Sequence, residues 1–152
     1  MNIKIVKLEP GNKLPVKMSP KAGAWDVFGT EIIRESDNYY RCKLGLKMTP
    51  PPGYRIVFVP RSSITKTQWI LQNSPATGDE DYTGEYELRF KCIPYTSTES
   101  AYKGTSYEKF PFKVGDRIAQ MYLEKVEEFE FQEVNSLDET DRGKGGFGST
   151  GN

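Results

Sequence analysis

YYRCKLGL at residues 39–46, PPPG at 50–53 and YRIVFVP at 54–60 follow one another along the chain and decide its fold class. Aromatic and β-branched side chains dominate the first and third of these segments, a composition typical of β-strands. The proline-rich segment between them cannot continue a strand, because proline has no N–H to donate to a neighbouring strand. We therefore expect strands at residues 39–44 and 54–59, joined by a turn at 50–53.

The same pattern recurs towards both ends of the chain. Further strands are predicted at residues 3–8, 85–93, 117–126 and 129–134, with turns at 10–11 and 114–116. No long window carries a helical apolar stripe, so one short helix at residues 64–71 is the most that the pattern allows. Residues 96–107 are predicted to form an exposed polar loop. Many short strands without an internal repeat indicate an all-β sandwich, barrel or jelly roll.

Composition favours one domain and excludes several function classes. The 152 residues suffice for one hydrophobic core, and 21 basic residues balance 21 acidic ones, so no basic footprint for nucleic acid is expected. Cys42 and Cys92 lack the paired spacing of a zinc site or a disulfide framework, which favours a reducing compartment. The N-terminal residues lack the apolar stretch of a signal peptide, and no later run is long enough to span a membrane. We expect a soluble, cytoplasmic protein.

The tail RGKGGFGSTG at residues 142–151 is the first candidate for chemistry. Its five glycines allow backbone amides to approach an anion, and Arg142 and Ser149 are among the side chains that can donate to phosphate. A plain flexible linker is the alternative, but a linker has no use for the exposed ring of Phe147. Because this tail cannot pack a core of its own, we divide the chain into a domain at residues 1–137 and an arm at 138–152.

Two motifs lie in the middle of the chain. PRSS at residues 60–63 places a guanidinium and two hydroxyls after an apolar strand, where they can grip phosphate oxygens. An ordinary helix cap with a surface ion pair explains the same residues. GDEDYTG at residues 78–84 puts three acids and an aromatic ring in one tight turn. Because the chain has no histidine, a carboxylate of this turn is the first candidate for a general base, although acid-rich turns are also simply solvated.

Two further motifs place polar groups beside buried-looking strands. GDRIAQ at residues 115–120 puts the amide of Gln120 on a strand, where it needs partners from the fold or from a ligand. Asp116 and Arg117 can equally form a local turn pair. AGAWD at residues 22–26 ends in Asp26, which suits either a metal-bound water or a turn next to a core tryptophan.

The order of these five motifs resembles that of the homotrimeric dUTP pyrophosphatases, the dUTPases. The patterns of that family run approximately SAGxDL, PRSG, GxIDxDYxGE, GDRIAQ and RGxGGFGSTG. Here they read KAGAWDV, PRSS, ATGDEDYTGE, GDRIAQ and RGKGGFGSTG, so the resemblance covers residues 22–151. It implies a jelly-roll β-barrel in a homotrimer, with the C-terminal arm exchanged between subunits and each active site built from three of them.

The resemblance also implies a role for each matching residue. Asp79 matches the general base that activates the water attacking the α-phosphate of dUTP, and Tyr82 matches the ring under the deoxyribose. Phe147 matches the ring that covers uracil, and Asp26 matches an aspartate linked to Mg²⁺ through ordered water. The expected substrate-binding residues are Arg61, Ser62, Ser63, Asn73, Thr77, Gly78, Tyr82, Gln120, Arg142, Phe147, Gly148 and Ser149.

The implied reaction is hydrolysis of dUTP to dUMP and pyrophosphate, with Mg²⁺ as cofactor. Such a reaction limits uracil incorporation into DNA and supplies dUMP for dTMP synthesis. Three positions depart from the family pattern: Ser63 and Ala76 each replace a glycine, and Gly78 replaces the isoleucine before the catalytic aspartate.

Two other functions fit the same motifs. The related dCTP deaminases share an Arg-Ser-Ser sequence, but their catalytic glutamate lies five residues after the glycine that ends the turn. That position here is Arg89, which cannot shuttle the proton. A nucleotide-gated binding protein is the second alternative, in which closure of the arm signals to a regulatory protein partner.

Overall fold

Two antiparallel sheets form the fold in a computed structural model, whose described residues are 1–94 and 107–145. A short 3-10 helix at Ser62–Lys66 follows the fifth strand. The strands are β1 Lys4–Lys7, β2 Trp25–Phe28, β3 Glu31–Ser36, β4 Tyr39–Thr49, β5 Tyr54–Pro60, β6 Trp69–Leu71, β7 Ala76–Gly78, β8 Glu85–Cys92 and β9 Arg117–Lys125.

The long strand β4 organises the first sheet, and β9 and β5 form the centre of the second. The first sheet has the order β1-β4-β8-β6. The strands β1 and β3 share one edge of β4, where β1 pairs with residues 46–49 and β3 with residues 39–43. The second sheet has the order β2-β9-β5-β7. The predicted all-β class is therefore confirmed.

One hydrophobic core lies between the two sheets. Alternate residues of β8 point into it, as the period-2 pattern of that strand requires, and Leu88, Phe90 and Cys92 are buried. Cys42 on β4 is also buried, and its burial raises the pKa of the thiol to about 12. Both cysteines are free thiols inside the core.

Five of the six predicted strands are observed, with ends within a few residues except at β4, which runs on to Thr49. The short helix that the pattern allows at residues 64–71 is not formed over that whole range. The chain makes one 3-10 turn there and then forms β6, because Trp69–Leu71 pairs with the end of β8. That pairing is a long-range contact that a local pattern does not reveal.

The strand predicted at residues 129–134 is also not formed in this chain. The segment 126–138 leaves β9 without pairing to any described strand, and Phe129 and Phe131 are 74% and 93% exposed. Its alternating apolar pattern requires a partner strand, and residues 1–94 and 107–145 do not supply one. The short strands β2, β3 and β7 were not predicted.

The loop predicted at residues 96–107 lies outside the described residues, except for residue 107. Within the described part of the chain, no helix is long and apolar enough to cross a membrane.

Candidate functional site

Asp26 is a buried carboxylate surrounded by cationic and amide groups. Gln120 Nε2 donates a hydrogen bond to Asp26 Oδ1 at 3.0 Å, and Arg117 Nη1 donates to Oδ2 at 3.1 Å. Arg61 Nε lies 3.3 Å from Oδ1 as an ion pair without hydrogen-bond geometry, and Arg61 Nη1 donates to the main-chain carbonyl of Arg117 at 3.2 Å. Two guanidinium groups thus share one carboxylate, so the cluster has a net charge of one positive unit.

Strand register explains this cluster of residues 26, 61, 117 and 120. β2 and β9 are antiparallel neighbours in which Asp26 lies opposite Gln120, and β5 pairs with the other edge of β9. Arg61 follows β5 directly. The surplus positive charge at the end of three adjacent strands suits an anionic ligand such as a phosphate. The structure therefore brings together Asp26, Arg61 and Gln120, three of the predicted site residues.

The donors at this cluster do not fit a metal ion held by the protein. Asp26 is 1% exposed, and its carboxylate already faces two guanidinium groups and an amide. Among residues 1–94 and 107–145, no group of three or more His, Cys, Asp or Glu side chains could hold a metal. The water-mediated link of Asp26 to Mg²⁺ stays a prediction.

Ser62 and Ser63 lie at the start of the 3-10 helix, and both are exposed. The alternative explanation of PRSS as a serine cap with a surface ion pair is not what forms. The residue at the cap position is Arg61, no side chain caps the helix, and Arg61 pairs with the buried Asp26. Both hydroxyls are available to a ligand next to this guanidinium.

A second set of predicted residues lines one cavity of about 180 Å³ beside the turn between β7 and β8. Five of the eight lining residues belong to the motifs or site residues that the sequence singles out, and Phe58, Tyr86 and Glu87 do not. The lining residues are Phe58, Asn73, Ala76, Thr77, Asp79, Tyr82, Tyr86 and Glu87.

Backbone and side-chain hydrogen bonds fix the turn that carries Asp79 and Tyr82. The N–H of Tyr82 donates to the carbonyl of Asp79 at 3.2 Å, and the Tyr82 hydroxyl donates to the carbonyl of Glu85 at 2.9 Å. Glu80 Oε2 accepts a hydrogen bond from the N–H of Gly53 at 3.0 Å, which ties the turn to the Pro-Pro-Pro-Gly segment. Asp79 and Tyr82 remain exposed at the mouth of the cavity. An accessible carboxylate next to an accessible ring suits a proton acceptor beside a bound sugar.

Asn73 and Glu87 line the side of the cavity that faces β8. Asn73 Oδ1 accepts a hydrogen bond from the N–H of Arg89 at 2.9 Å, which leaves its amide nitrogen for another acceptor. Burial raises the pKa of Glu87, but hydrogen bonds from Arg89 and Arg41 outweigh it, and the pKa lies below its ordinary value. Glu87 is therefore an ionised, paired carboxylate.

The departures Ala76 and Gly78 are accommodated by β7. Ala76 lies within the strand opposite Phe58, so it does not need the positive φ that a glycine allows. Gly78 lies opposite Ile56, and a Cβ on it would stand 2.3 Å from the hydroxyl of Tyr86. Glycine is needed at position 78 because the Tyr86 side chain fills the space beside it.

Asp79 and Arg61 lie apart along β5. Gly78, next to Asp79, pairs with Ile56, whereas Arg61 lies five residues further along the chain. At about 3.3 Å per residue in a strand, roughly 16 Å of extended chain separates them. Within one chain Asp79 therefore does not lie next to Arg61, although Phe58, which also lines the cavity, is three residues from Arg61.

The structure describes the predicted arm at residues 138–152 only as far as residue 145. Arg142 is exposed, and its Nε donates to the carbonyl of Gly145 at 2.9 Å within a local turn. Phe147, Gly148 and Ser149 lie outside the described part of the chain.

Four residues at these sites were missed by reasoning from the sequence. For Arg117 the sequence offers only a possible turn pair with Asp116, and it assigns no cavity role to Phe58, Tyr86 or Glu87. The alternation of β8 marks residues 86 and 88 as core positions, but nothing local shows which core side chain reaches a ligand cavity.

Known proteins resemble this chain over a range that contains all five motifs. A family model described as dUTPase matches residues 13–151. The deoxyuridine 5'-triphosphate nucleotidohydrolase of Helicobacter pylori strain Shi470 is 33% identical, over 99% of this chain and 97% of that relative. The protein of the same name from Anaplasma marginale strain St. Maries is 31% identical, over 99% of both chains.

Solved structures share the fold at lower identity. A mutant of the Staphylococcus bacteriophage 80alpha dUTPase with dUpNHpp has a TM-score of 0.76 and 20% identity, covering 99% of this chain and 98% of that one. A mutant dUTPase from phage phi11 of S. aureus, described with a structural Mg(II) ion, has a TM-score of 0.70 and 16% identity, covering 91% of this chain and 100% of that one. The predicted jelly-roll fold is confirmed by these similarities. The family model and the two curated relatives together show that this chain belongs to the dUTPase family.

Proposed function

We propose that this protein hydrolyses dUTP to dUMP and pyrophosphate, with Asp79 as the general base. The cavity at the turn between β7 and β8 carries the proposal, because Asp79 and Tyr82 of the third motif line it together with Asn73. The H. pylori relative is named a deoxyuridine 5'-triphosphate nucleotidohydrolase, which is an enzyme with this activity. In the cell, the reaction would limit uracil incorporation into DNA and supply dUMP for dTMP synthesis, and we place it in the cytoplasm.

The reaction is a single displacement at phosphorus. Asp79 accepts a proton from a water molecule, and that water attacks the α-phosphorus in line with the bond to the bridging oxygen. That bond breaks, and pyrophosphate leaves with the electron pair. Arg61 and the hydroxyl of Ser62 stabilise the charge that develops on the phosphate oxygens. No covalent intermediate on the protein is required.

Selection of the nucleoside falls to the residues around Asp79. The exposed ring of Tyr82 lies where a deoxyribose can stack on it, and a ribose 2′-hydroxyl would clash there. The backbone of the neighbouring hairpin presents donors and acceptors that suit the edge of uracil but not that of cytosine. Steric exclusion of the methyl group separates uracil from thymine.

We propose that the complete site forms in a homotrimer. About 16 Å of strand lies between Asp79 and Arg61 in one chain, so one subunit would supply the Asp79 cavity and a neighbour the cationic cluster. The exposed segment 126–138 supports assembly, because Phe129 and Phe131 would otherwise remain in water. In the trimer this segment would find the strand partner that the described residues of its own chain do not provide.

The arm at residues 138–152 completes the proposal as a segment distinct from the domain at residues 1–137. Arg142 and Ser149 would hold the γ-phosphate end of the substrate, and Phe147 would cover the uracil. A glycine-rich backbone suits this role, because its amides can approach phosphate oxygens closely.

Mg²⁺ is proposed to accompany the triphosphate, where it would neutralise phosphate charge. No protein ligand is assigned to it, since the donors at Asp26 do not fit a metal ion.

Pyrophosphate release from dUTP by the purified protein tests the proposed function. dUTP is expected to be cleaved in preference to dCTP, dTTP and UTP in parallel reactions. Absence of release at micromolar dUTP would refute hydrolysis, and tight dUTP binding without turnover would indicate the nucleotide-gated binding protein. Ammonia release from dCTP would indicate a deaminase instead.

Asp79→Asn tests the assignment of the base. Turnover should fall by a factor on the order of 10² to 10⁴, the usual contribution of a general base, while binding of a non-hydrolysable dUTP analogue stays nearly unchanged. Asp81→Asn is the matched control, because it removes a carboxylate from the same turn outside the cavity. Turnover that persists in Asp79→Asn would place the base elsewhere.

A further inference from the structure

Tyr86 crosses the interior between the two sheets. It lies on β8 of the first sheet, and its hydroxyl ends against Gly78 on β7 of the second. A Cβ on Gly78 would stand 2.3 Å from the hydroxyl oxygen and 2.5 Å from the nearest ring carbon, Cε1. Real Cβ atoms do not approach other atoms so closely, so the Tyr86 side chain occupies the volume that a side chain at residue 78 would need. In the family pattern that residue is an isoleucine.

The hydroxyl of Tyr86 is buried without a partner. Its oxygen is shielded from solvent and has no hydrogen-bond partner among the described residues. Burial, with smaller contributions from Tyr82 and Asp79, raises the pKa of this phenol to about 12, so the group is neutral at physiological pH. A buried hydroxyl without a partner lowers stability, which a phenylalanine at this position would avoid. Packing of the core alone therefore does not account for the hydroxyl.

The contacts of Tyr86 reach Tyr82 and the residue that precedes Asp79. Its hydroxyl supports the backbone of Gly78, the residue before Asp79. Its ring packs edge-on against Tyr82, with centroids 5.1 Å apart, and tilts against Phe58 at 5.2 Å. A single core side chain thus supports the turn at two points, next to the proposed general base Asp79 and at the ring of Tyr82.

We infer that Tyr86 is a positioning residue for Asp79 and Tyr82, and that its side chain replaces the residue-78 side chain as the internal support of their turn. This inference rests on the proposed hydrolysis of dUTP. Loss of the hydroxyl leaves a gap next to Gly78. The turn is then less rigid, and the distance between the Asp79 carboxylate and the α-phosphorus varies.

Tyr86→Phe tests the role of the hydroxyl, because it keeps the ring and removes one oxygen. We expect kcat to fall at least about tenfold, since a misplacement of about 1 Å can cost on the order of a hundredfold in rate. KM for dUTP should change much less than kcat, and Tm should not fall, because an unpaired buried hydroxyl has been removed. Tyr40→Phe is the matched control, since it alters a partly buried tyrosine in a separate aromatic cluster with Trp69 and Phe110.

A second pair of variants tests the exchange of volume between the two positions. Gly78→Ile alone should lower Tm, and Tyr86→Leu alone should lower kcat. The combined Gly78→Ile and Tyr86→Leu variant should recover both relative to the single variants, because it restores an aliphatic support from residue 78. Losses in the combined variant that equal the sum of the single losses would overturn the inference.

Unchanged kcat in Tyr86→Phe, with an active wild type, would overturn the positioning role and leave the proposed function intact. An inactive wild type would overturn both, and the Tm values of the combined variant would still report on the packing. The two failures are therefore distinguishable in one set of measurements.

Discussion

Asp26 lies between two guanidinium groups, and its replacement should lower the free energy of unfolding substantially. Replacing it by asparagine leaves Arg61 and Arg117 facing an amide that donates as well as accepts. Breaking a buried ion pair on one side usually costs about 3–5 kcal/mol, and partial exposure of both arginines places Asp26→Asn near the lower end, at about 3 kcal/mol. Urea unfolding at one fixed protein concentration measures this loss.

Glu124→Gln provides the comparison for Asp26→Asn. Glu124 pairs with Arg55 on the surface, and both side chains are more than 40% exposed, so its loss should cost less than about 1 kcal/mol. Equal losses in the two variants would mean that Asp26 is not a structural centre of the cationic cluster.

The contact between Gly78 and Tyr86 marks a limit of prediction from sequence. The motif patterns identify residue 78 as a departure from isoleucine, but the compensating tyrosine lies on another strand of the opposite sheet. The approach of the two residues depends on how the sheets pack. The pairing of Asp26 with Gln120 likewise depends on the register of β2 against β9, which no local pattern specifies.

Strands β4 and β8 carry a ladder of charges that makes stability depend on pH. Glu87 on β8 accepts hydrogen bonds from Arg89 and from Arg41 on β4, and the pKa of Glu87 lies below its ordinary value in the folded protein. A lowered pKa in the folded state stabilises the fold above the unfolded-state pKa of about 4.3, and this contribution is lost as pH falls through the folded-state value.

Glu87→Gln isolates that contribution. The free energy of unfolding of the wild type should exceed that of the variant at neutral pH, and the difference should shrink below about pH 5. Denaturant titrations at several pH values provide the measurement. Glu133→Gln removes one negative charge from the exposed segment after β9 and serves as control. A difference that grows on acidification would contradict the assignment.

Whole strands were predicted where their apolar pattern and their flanking turns agree, as for β5 and β9. Prediction failed where pairing decides the structure. Residues 69–71 form a strand because β8 lies beside them, and residues 129–134 do not form one because no described strand does. The strands β2 and β7 have too few residues for a period of 2 to be clear, and the two isoleucines of β3 are adjacent instead of alternating with polar residues.

Assembly should depend on the segment that leaves β9. Phe131→Ser changes a side chain that is 93% exposed in the single chain, so it should not affect a protein that stays monomeric. If the segment packs on a neighbour, the variant should lose association, and its mass in sedimentation experiments should fall. Glu130→Gln alters the adjacent residue and is expected to leave the mass unchanged. An identical mass for Phe131→Ser and wild type would exclude this segment from the interface.

Hydrolysis of dUTP should depend on the C-terminal arm, whereas assembly of the subunits should not. A chain that ends at Asp141 lacks Arg142 and everything after it, and we expect it to retain the mass of the wild-type assembly and to lose most dUTP hydrolysis. Removal of Asn152 alone is the control, because it leaves the glycine-rich motif complete. Full activity of the shorter chain would refute the proposed role of the arm.

Cys42 and Cys92 give the molecule an internal reporter of its own opening. They are the only two cysteines in the sequence, both are buried, and the raised pKa of Cys42 keeps that thiol protonated. A thiolate is the species that reacts with alkylating reagents, so the native core should resist them. The rate at which such a reagent labels the protein under native conditions therefore measures how often the two sheets separate, and bound nucleotide should slow that rate in proportion to its affinity.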